Sequence, residues 1–435
     1  MTTDDRRPVR SASGQRPQGQ RPQGQRPQGQ RPQGSRPQGQ RPQSQRPQSQ
    51  RPQGGQQRKV KPAGNAKKSG PGKYILIAVE VVALVALGLI LWKVVIPATK
   101  TGKVDLPEED IIINEEVKAQ METISSGDSG EGSAAAESSA MSGYRNIALF
   151  GVDSREKELT KNTRSDTIII ASINEETGAV KLCSVYRDSY LNLSNDSYNK
   201  CNAAYAKGGP KQAINMLNMN LDMNITDFVT IGFDGLADVV DAVGGVEVDI
   251  KEAEIVHLNN YQISMVGKSS DGETFTATEG TDYTAVKSAG RQTLNGLQAT
   301  AYCRIRYVGN DFERTERQRR VIMAVVEKAK KNPAKMADAA NSLFDEVYTS
   351  LDLSEILDII GNIGKYEIVD QSGFPQKEKL AGLNMGSKGS CLVPLTLEEN
   401  VQWLHGFLFD DPDYEPSSAV KSYSAQIVSD ASPYM

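Results

Sequence analysis

The chain has 435 residues, 38% hydrophobic and 24% charged, with a formal net charge of −4 at pH 7. That balance hides an asymmetry: residues 1–73 carry 17 Lys or Arg against Asp4 and Asp5, a net of about +15, which leaves about −19 for the remainder. The length allows two or three segments of different character, and composition excludes a globular one at the start.

Residues 15–54 are eight copies of a five-residue unit, QRPQG, with Ser at Ser35, Ser44 and Ser49. With almost no apolar side chain this tract cannot offset the entropy of ordering, so residues 1–73 are expected to form a disordered basic tail. Gly recurs every fifth residue, which excludes collagen. Regularly spaced, solvated arginines read as a tether, and no nucleic-acid partner is expected. From Tyr74 to Trp92 the chain is apolar except for Glu80, and Val94 to Ile96 extend the run beyond Lys93. Residues 74–97 are therefore expected to be a single transmembrane helix with aromatic and lysine anchors at its ends. More than 70 residues precede it, unlike a cleaved signal peptide. The positive-inside rule places the N-terminus in the cytoplasm and everything after Pro97 outside.

Residues 98–143 are acidic and rich in Ser, Gly and Ala, and are expected to be a flexible stalk, with a short helix within 107–124. From Tyr144 the apolar periodicity becomes that of a globular domain, expected over 144–410. Ile147–Phe150, Thr167–Ile173 and Val180–Val185 have the length and β-branching of buried strands. Asn202–Leu217 reads as a helix interrupted at Gly208, Gly209 and Pro210; Asp227–Gly232 and Val246–Ile250 read as strands around a helix over Asp234–Val243. Residues 251–290 are weakly periodic and read as a hairpin or long loop, whereas Thr293–Tyr302 and Arg314–Lys331 read as helices. The alternation predicts an α/β fold, an α+β sandwich with helices covering a central mixed sheet. Residues 411–435 read as a polar tail.

Charged residues sit where the strands begin or end: Asp153 and Arg155 after the first, Arg164 and Asp166 before the second, Arg187 and Asp188 after the third. A hairpin of the second and third strands brings Asp166 towards Arg187 and Asp188, and a neighbouring first strand adds Asp153. Converging carboxylates and guanidiniums suit a divalent cation together with a phosphorylated ligand. A second dense set is Arg304, Arg306, Asp311, Arg314, Arg317, Gln318, Arg319 and Arg320, of which Arg319 and Arg320 read as a solvated helix face. No Walker loop, Rossmann fingerprint or nucleophile elbow is present, and GSKGS at 386–390 reads as a loop. Cys183, Cys201, Cys303 and Cys391 allow three pairings if they form disulfides; buried free thiols are the alternative.

The blocks GVDSR at 151–155, RSDT at 164–167, YRDS at 186–189, NAAYAKGG at 202–209, DAVGGVEVDI at 241–250, LNGLQATAYCRIR at 294–306 and ERTERQRR at 313–320 follow one another in an order that resembles the LytR-CpsA-Psr family of bacterial cell-wall proteins. The resemblance implies an extracellular phosphotransferase on a single membrane anchor in a Gram-positive bacterium. It would transfer a teichoic-acid or capsule-type glycopolymer from a polyprenyl pyrophosphate carrier to peptidoglycan, its prenyl tail in an apolar tunnel. It also implies that Arg187, Arg304, Arg306 and Arg314 bind phosphate with help from Gln318, that Asp153 and Asp166 hold Mg²⁺, and that Asp311 is a further functional acid. The base is left between Asp153 and Asp311. A polyprenyl pyrophosphate hydrolase and a non-catalytic envelope regulator are the competing readings.

Overall fold

The computed structural model describes residues 103–125, 140–153, 159, 160, 162–269 and 274–435. The QRPQG arm, the apolar stretch Tyr74–Trp92 and Arg155 lie outside these residues. Among the described residues no helix is long and apolar enough to cross a membrane.

In chain order the elements are α1 (Glu115–Ser125), β1 (Tyr144–Val152), β2 (Ser165–Asn174), β3 (Ala179–Val185), β4 (Tyr190–Asn192), β5 (Tyr198–Lys200), α2 (Asn202–Leu221), β6 (Asp227–Ile231), α3 (Phe233–Ala242) and β7 (Val246–Ile250). Then follow α4 (Glu252–Val266), β8 (Lys268–Ser269), β9 (Phe275–Thr276), β10 (Gly290–Leu294), α5 (Gly296–Arg304), α6 (Asp311–Lys331) and α7 (Pro333–Leu343). The last are β11 (Val347–Thr349), α8 (Leu353–Gly361), β12 (Glu367–Phe374), β13 (Leu380–Asn384), β14 (Ser390–Pro394), α9 (Leu397–Phe409) and α10 (Ser418–Ala431).

A six-stranded sheet in the order β11-β6-β1-β2-β3-β12 forms the centre. It is mixed: β1 runs parallel to β6 and β3 to β12, whereas β1–β2, β2–β3 and β6–β11 are antiparallel. The strands read as continuous apolar runs because both faces are covered. Ala148, Phe150, Val152, Ile168, Ile170, Cys183 and Phe228 face the larger core with α2, α9 and α10. The alternate residues Leu149, Ile169, Val229 and Ile231 face α3 and α6.

Near its end β1 slips against β2: Gly151 pairs with Thr167 but Val152 pairs with Ser165, so Asp166 is the extra residue of a bulge. A Cβ on Gly151 would stand 2.9 Å from Thr167 Cβ and Oγ1, so only glycine lets the strands close there. Bulges re-aim a side chain, and this one turns Asp166 to the end of the sheet.

Three expectations are corrected. Residues 252–266, read as a loop, form α4, whose buried stripe is Glu254, Leu258 and Gln262. Two of those three residues are polar, which hides the helical period from a hydrophobicity reading. Residues 103–121 of the expected stalk fold onto the domain: Val104 N donates to Thr349 O at 2.8 Å, Ile112 N donates to Asn215 Oδ1 at 2.9 Å, and Ile111 and Val117 are buried. Residues 411–435 are not a tail, because Val420, Ile427 and Ala431 of α10 are core residues. Of the two readings left open for the cysteines, the structure takes the buried free thiols, with all four free and buried.

Ending the chain at Asp410 is accordingly expected to destabilise the fold. Val420 and Ile427 are both fully buried, and losing that burial costs about 3–6 kcal/mol. Urea denaturation of the shortened and full chains measures it, and equal midpoints would return 411–435 to the status of a tail.

Candidate functional site

An apolar tunnel of about 240 Å³ runs between the sheet and α3 and α6, lined by Leu149, Ile169, Val229 and Ile231 of the sheet, Leu236 and Val239 of α3, and Val321, Ile322, Val325 and Val326 of α6. Arg304, Arg314 and Gln318 also line it, beside Cys303 and Phe233.

Asp166, aimed by the bulge, is the hub of the cluster at this end. Arg314 Nη2 donates to Asp166 Oδ2 at 2.8 Å, Arg306 Nη2 donates to the same oxygen at 3.0 Å, and Arg187 Nη1 donates to Oδ1. Burial pushes the Asp166 carboxyl up, but Arg314, Arg187 and Arg306 outweigh it and hold the group below the usual carboxylate range. Burial likewise draws the Arg314 guanidinium down, against the pull of Asp166. These residues are far apart in sequence, on β2, the turn after β3, the loop after α5, and the first turn of α6.

Arg304 takes a different acid. Its Nη2 lies 3.8 Å from Asp153 Oδ2, and its guanidinium stacks 4.3 Å from the centre of the Phe233 ring and 5.6 Å from that of Tyr261. It is the last residue of α5, and at Ile305 the chain leaves the helix with φ −56° and ψ 123°. That exit sends Arg304 to Asp153 and Arg306 to Asp166. Asp311 opens α6 after the Asn310 cap, whose side chain accepts from Phe312 N at 2.9 Å. Burial, then a side-chain hydrogen bond and charge repulsion from Asp188, raise the Asp311 carboxyl above its ordinary value. Asp188 itself lies 3.0 Å from Lys200 Nζ and 3.7 Å from Arg187 Nε.

Sequence reading brought Asp188 towards Asp166 and Arg187 but did not place Lys200, Phe233 or Tyr261 in the site, since nothing local marks those three. Arg319 is corrected: it is buried under the sheet edge, donating to Ser184 Oγ at 2.6 Å and to Gln371 Oε1 at 2.8 Å. Arg317, next to Gln318, also turns away from the tunnel. It donates to Glu254 Oε1 at 3.1 Å and to the carbonyls of Ile305 and Val308 at 2.9 Å, fixing the loop that carries Arg306.

Chemically, four guanidiniums meet Asp153 and Asp166 at one end of an apolar channel. Arg314 Nε and Gln318 Oε1, both lining the tunnel, are buried with no hydrogen-bond partner among the described residues. Orphaned buried polar atoms are costly unless a ligand satisfies them. The arrangement suits a long apolar chain ending in an anion of high charge. Asp153 and Asp166 offer hard oxygen donors of the kind Mg²⁺ takes, usually one or two carboxylates completed by phosphate oxygens and water. No group of three or more His, Cys, Asp or Glu placed to hold a metal occurs among the described residues, so a cation here would depend on the ligand's own oxygens.

The chain is 34% identical over 185 residues to a polyisoprenyl-teichoic acid–peptidoglycan teichoic acid transferase, TagU, of Enterococcus faecalis, a match covering 42% of this chain and 52% of the relative. It is 34% identical over 193 residues to Biofilm regulatory protein A of Streptococcus mutans, covering 42% and 43%. The chain thus spans about half the length of these curated relatives. The crystal structure of protein gbs0355 from Streptococcus agalactiae superposes with a TM-score of 0.51 at 25% identity, covering 66% of this chain and 95% of the other. The model of the LytR_cpsA_psr family matches residues 111–388, a range that holds every acid and arginine gathered at the tunnel, and the chain belongs to the LytR-CpsA-Psr family.

Proposed function

We propose that this chain is a membrane-anchored phosphotransferase that moves a phosphate-linked glycopolymer of the teichoic-acid or capsule type from a polyprenyl pyrophosphate carrier to a hydroxyl of peptidoglycan. The observation that carries the reading is the apolar tunnel lined at one end by Arg304 and Arg314, with Arg314 Nε left unsatisfied. The name of the Enterococcus faecalis relative, a transferase acting between polyisoprenyl-linked teichoic acid and peptidoglycan, supports it. Anchoring rests on the Tyr74–Trp92 run and the charge split across it.

The tunnel takes the prenyl tail, and Arg187, Arg304, Arg306 and Arg314 bind the pyrophosphate with Gln318. Asp153 and Asp166 would hold Mg²⁺, which when bound supplies positive charge to the phosphate oxygens. Positioning and charge neutralisation dominate phosphoryl transfer, so no covalent protein intermediate is required. The acceptor oxygen forms a bond to phosphorus, the bond from phosphorus to the departing polyprenyl phosphate breaks, and the acceptor's proton passes to a carboxylate. Of the two candidates Asp311 fits that role better, since burial and Asp188 raise its affinity for a proton while Asp153 faces Arg304.

Arg306→Lys keeps the charge but loses the guanidinium's paired geometry. It is expected to weaken binding of a polyprenyl pyrophosphate analogue by about 1.5–3 kcal/mol, the range for a lost charge-assisted bond. Arg291→Lys, on an exposed pair with Glu247, serves as the comparison and is expected to change nothing measurable. Equal losses in the two variants would indicate a diffuse basic surface and remove the head-group pocket. A requirement for a glycan acceptor separates transfer from hydrolysis.

A further inference from the structure

Among the described residues the two most exposed large apolar side chains, the C-terminal Met435 aside, are Tyr307 at 78% and Val256 at 64%. The two positions are linked: His257, which follows Val256 on α4, stacks on Tyr307 with ring centres 5.6 Å apart and planes at 28°. Single exposed apolar residues are ordinary, whereas a patch of them on a rigid frame marks a surface that receives something. The frame here is rigid. Arg317 donates to the carbonyls of Ile305 and Val308, on either side of Tyr307, and its partner Glu254 lies one turn before His257. A buried ion pair thus ties the loop that carries one ring to the helix that carries the other, which leaves little entropy to lose when a ligand lands.

The patch also continues the head-group site. Along α4, Glu254, His257 and Tyr261 recur at helical spacing and meet Arg317, Tyr307 and Arg304 in turn. Neither Tyr307 nor His257 lines the tunnel. Arg306, the residue before Tyr307, is 47% exposed against 4% for Arg314, so the head-group site opens to solvent on this side. Phosphoryl transfer keeps the attacking and leaving oxygens roughly in line. With the departing polyprenyl phosphate directed into the tunnel, the acceptor hydroxyl enters from the open side, over Arg306 and Tyr307. Aromatic faces take the C–H face of a sugar ring, and the exposed amide of Asn260, one turn along α4 from His257, supplies donors and an acceptor for its hydroxyls.

Resting on the transferase reading, we propose that Tyr307, His257 and Asn260 form the landing surface for the acceptor, a peptidoglycan glycan strand, and hold a sugar next to the one whose hydroxyl attacks. The test uses the purified full chain in detergent, a polyprenyl pyrophosphate bearing one N-acetylhexosamine as donor, and an uncrosslinked peptidoglycan glycan oligomer as acceptor. Tyr307→Ala and His257→Ala are compared with Tyr307→Phe, which keeps the ring. A lost aromatic contact corresponds to about two- to tenfold. The alanine variants are expected to raise KM for the oligomer by that factor, with kcat and donor binding unchanged and Tyr307→Phe close to the unsubstituted protein. An unchanged KM overturns the landing surface while the transferase reading stands. So does a matching loss in donor binding, which would make Tyr307 a positioning residue for Arg306. A fall in oligomeric mass on Tyr307→Ala, with KM unchanged, assigns the patch to a second copy of this chain and likewise overturns the proposal. Release of polyprenyl phosphate by the unsubstituted protein at a rate independent of the oligomer overturns the transferase reading and the landing surface with it.

Discussion

Asp166→Ala is expected to abolish transfer and to lower the stability of the domain by about 3–5 kcal/mol, the cost of removing one partner from a buried ion pair. The carboxylate is 11% exposed and three guanidiniums converge on it, one of them, Arg314, only 4% exposed. Without it the guanidiniums repel one another in a partly desolvated pocket. The sign with pH follows from the direction of the shift: the folded carboxyl lies below its unfolded value, so its contribution is complete above about pH 4 and is lost as pH falls through the folded value. Urea denaturation of the two proteins from pH 7 to pH 2 measures this. A stability gap that stays constant down to pH 2 would contradict the ion-pair account. Asp153→Ala, on a side chain 40% exposed, should by contrast lower activity with little change in stability.

Breaking the pair between Arg317 and Glu254 is the second large effect. Their side chains are 3% and 0% exposed, and Arg317 also holds the Ile305 and Val308 carbonyls. Glu254→Ala leaves a buried guanidinium without its counter-charge, which costs about 3–5 kcal/mol and corresponds to a fall in Tm on the order of 10 °C. Because the clamped loop presents Arg306, lipid binding should weaken at temperatures where the variant is still folded. The double substitution Arg317→Met with Glu254→Leu removes both charges and should recover stability without recovering binding. A double variant no more stable than the single one would show that packing, not uncompensated charge, sets the loss.

The N-terminal asymmetry, the strands β1 to β3, β6 and β7 with the helices α2 and α3 between them, and the candidate acids and arginines were legible in the sequence. Each depends on residues close together in the chain. Continuous apolar runs mark β1 to β3 because the sheet is buried on both faces, and strand ends carry Asp153, Asp166 and Arg187 because charge cannot continue into that core. The side-chain cap that starts α5 at Gly296 is equally local: Asn295 accepts from Gln298 N and Gln298 accepts from Asn295 N, both at 2.9 Å.

Only the tertiary structure decided which charges serve the site. Arg314, Arg317, Gln318 and Arg319 share six residues of one helix, yet a helix turns about 100° per residue, so neighbours go to Asp166, Glu254, the tunnel and Ser184 respectively. No local signal tells a solvated arginine from one buried against a distant strand, which is why Arg319 was read as exposed. Glu254 lies on the buried face of α4 because Arg317 of α6 donates to it, and Gln262 on the same face donates to Asn259 Oδ1 within α4; that exchange of hydrophobicity for polar pairing hid the helix. The strap of residues 103–121 and the helix α10 were missed for a related reason: each contributes a few buried side chains to a core built by other segments, and sparse anchors carry too little periodicity to be read alone.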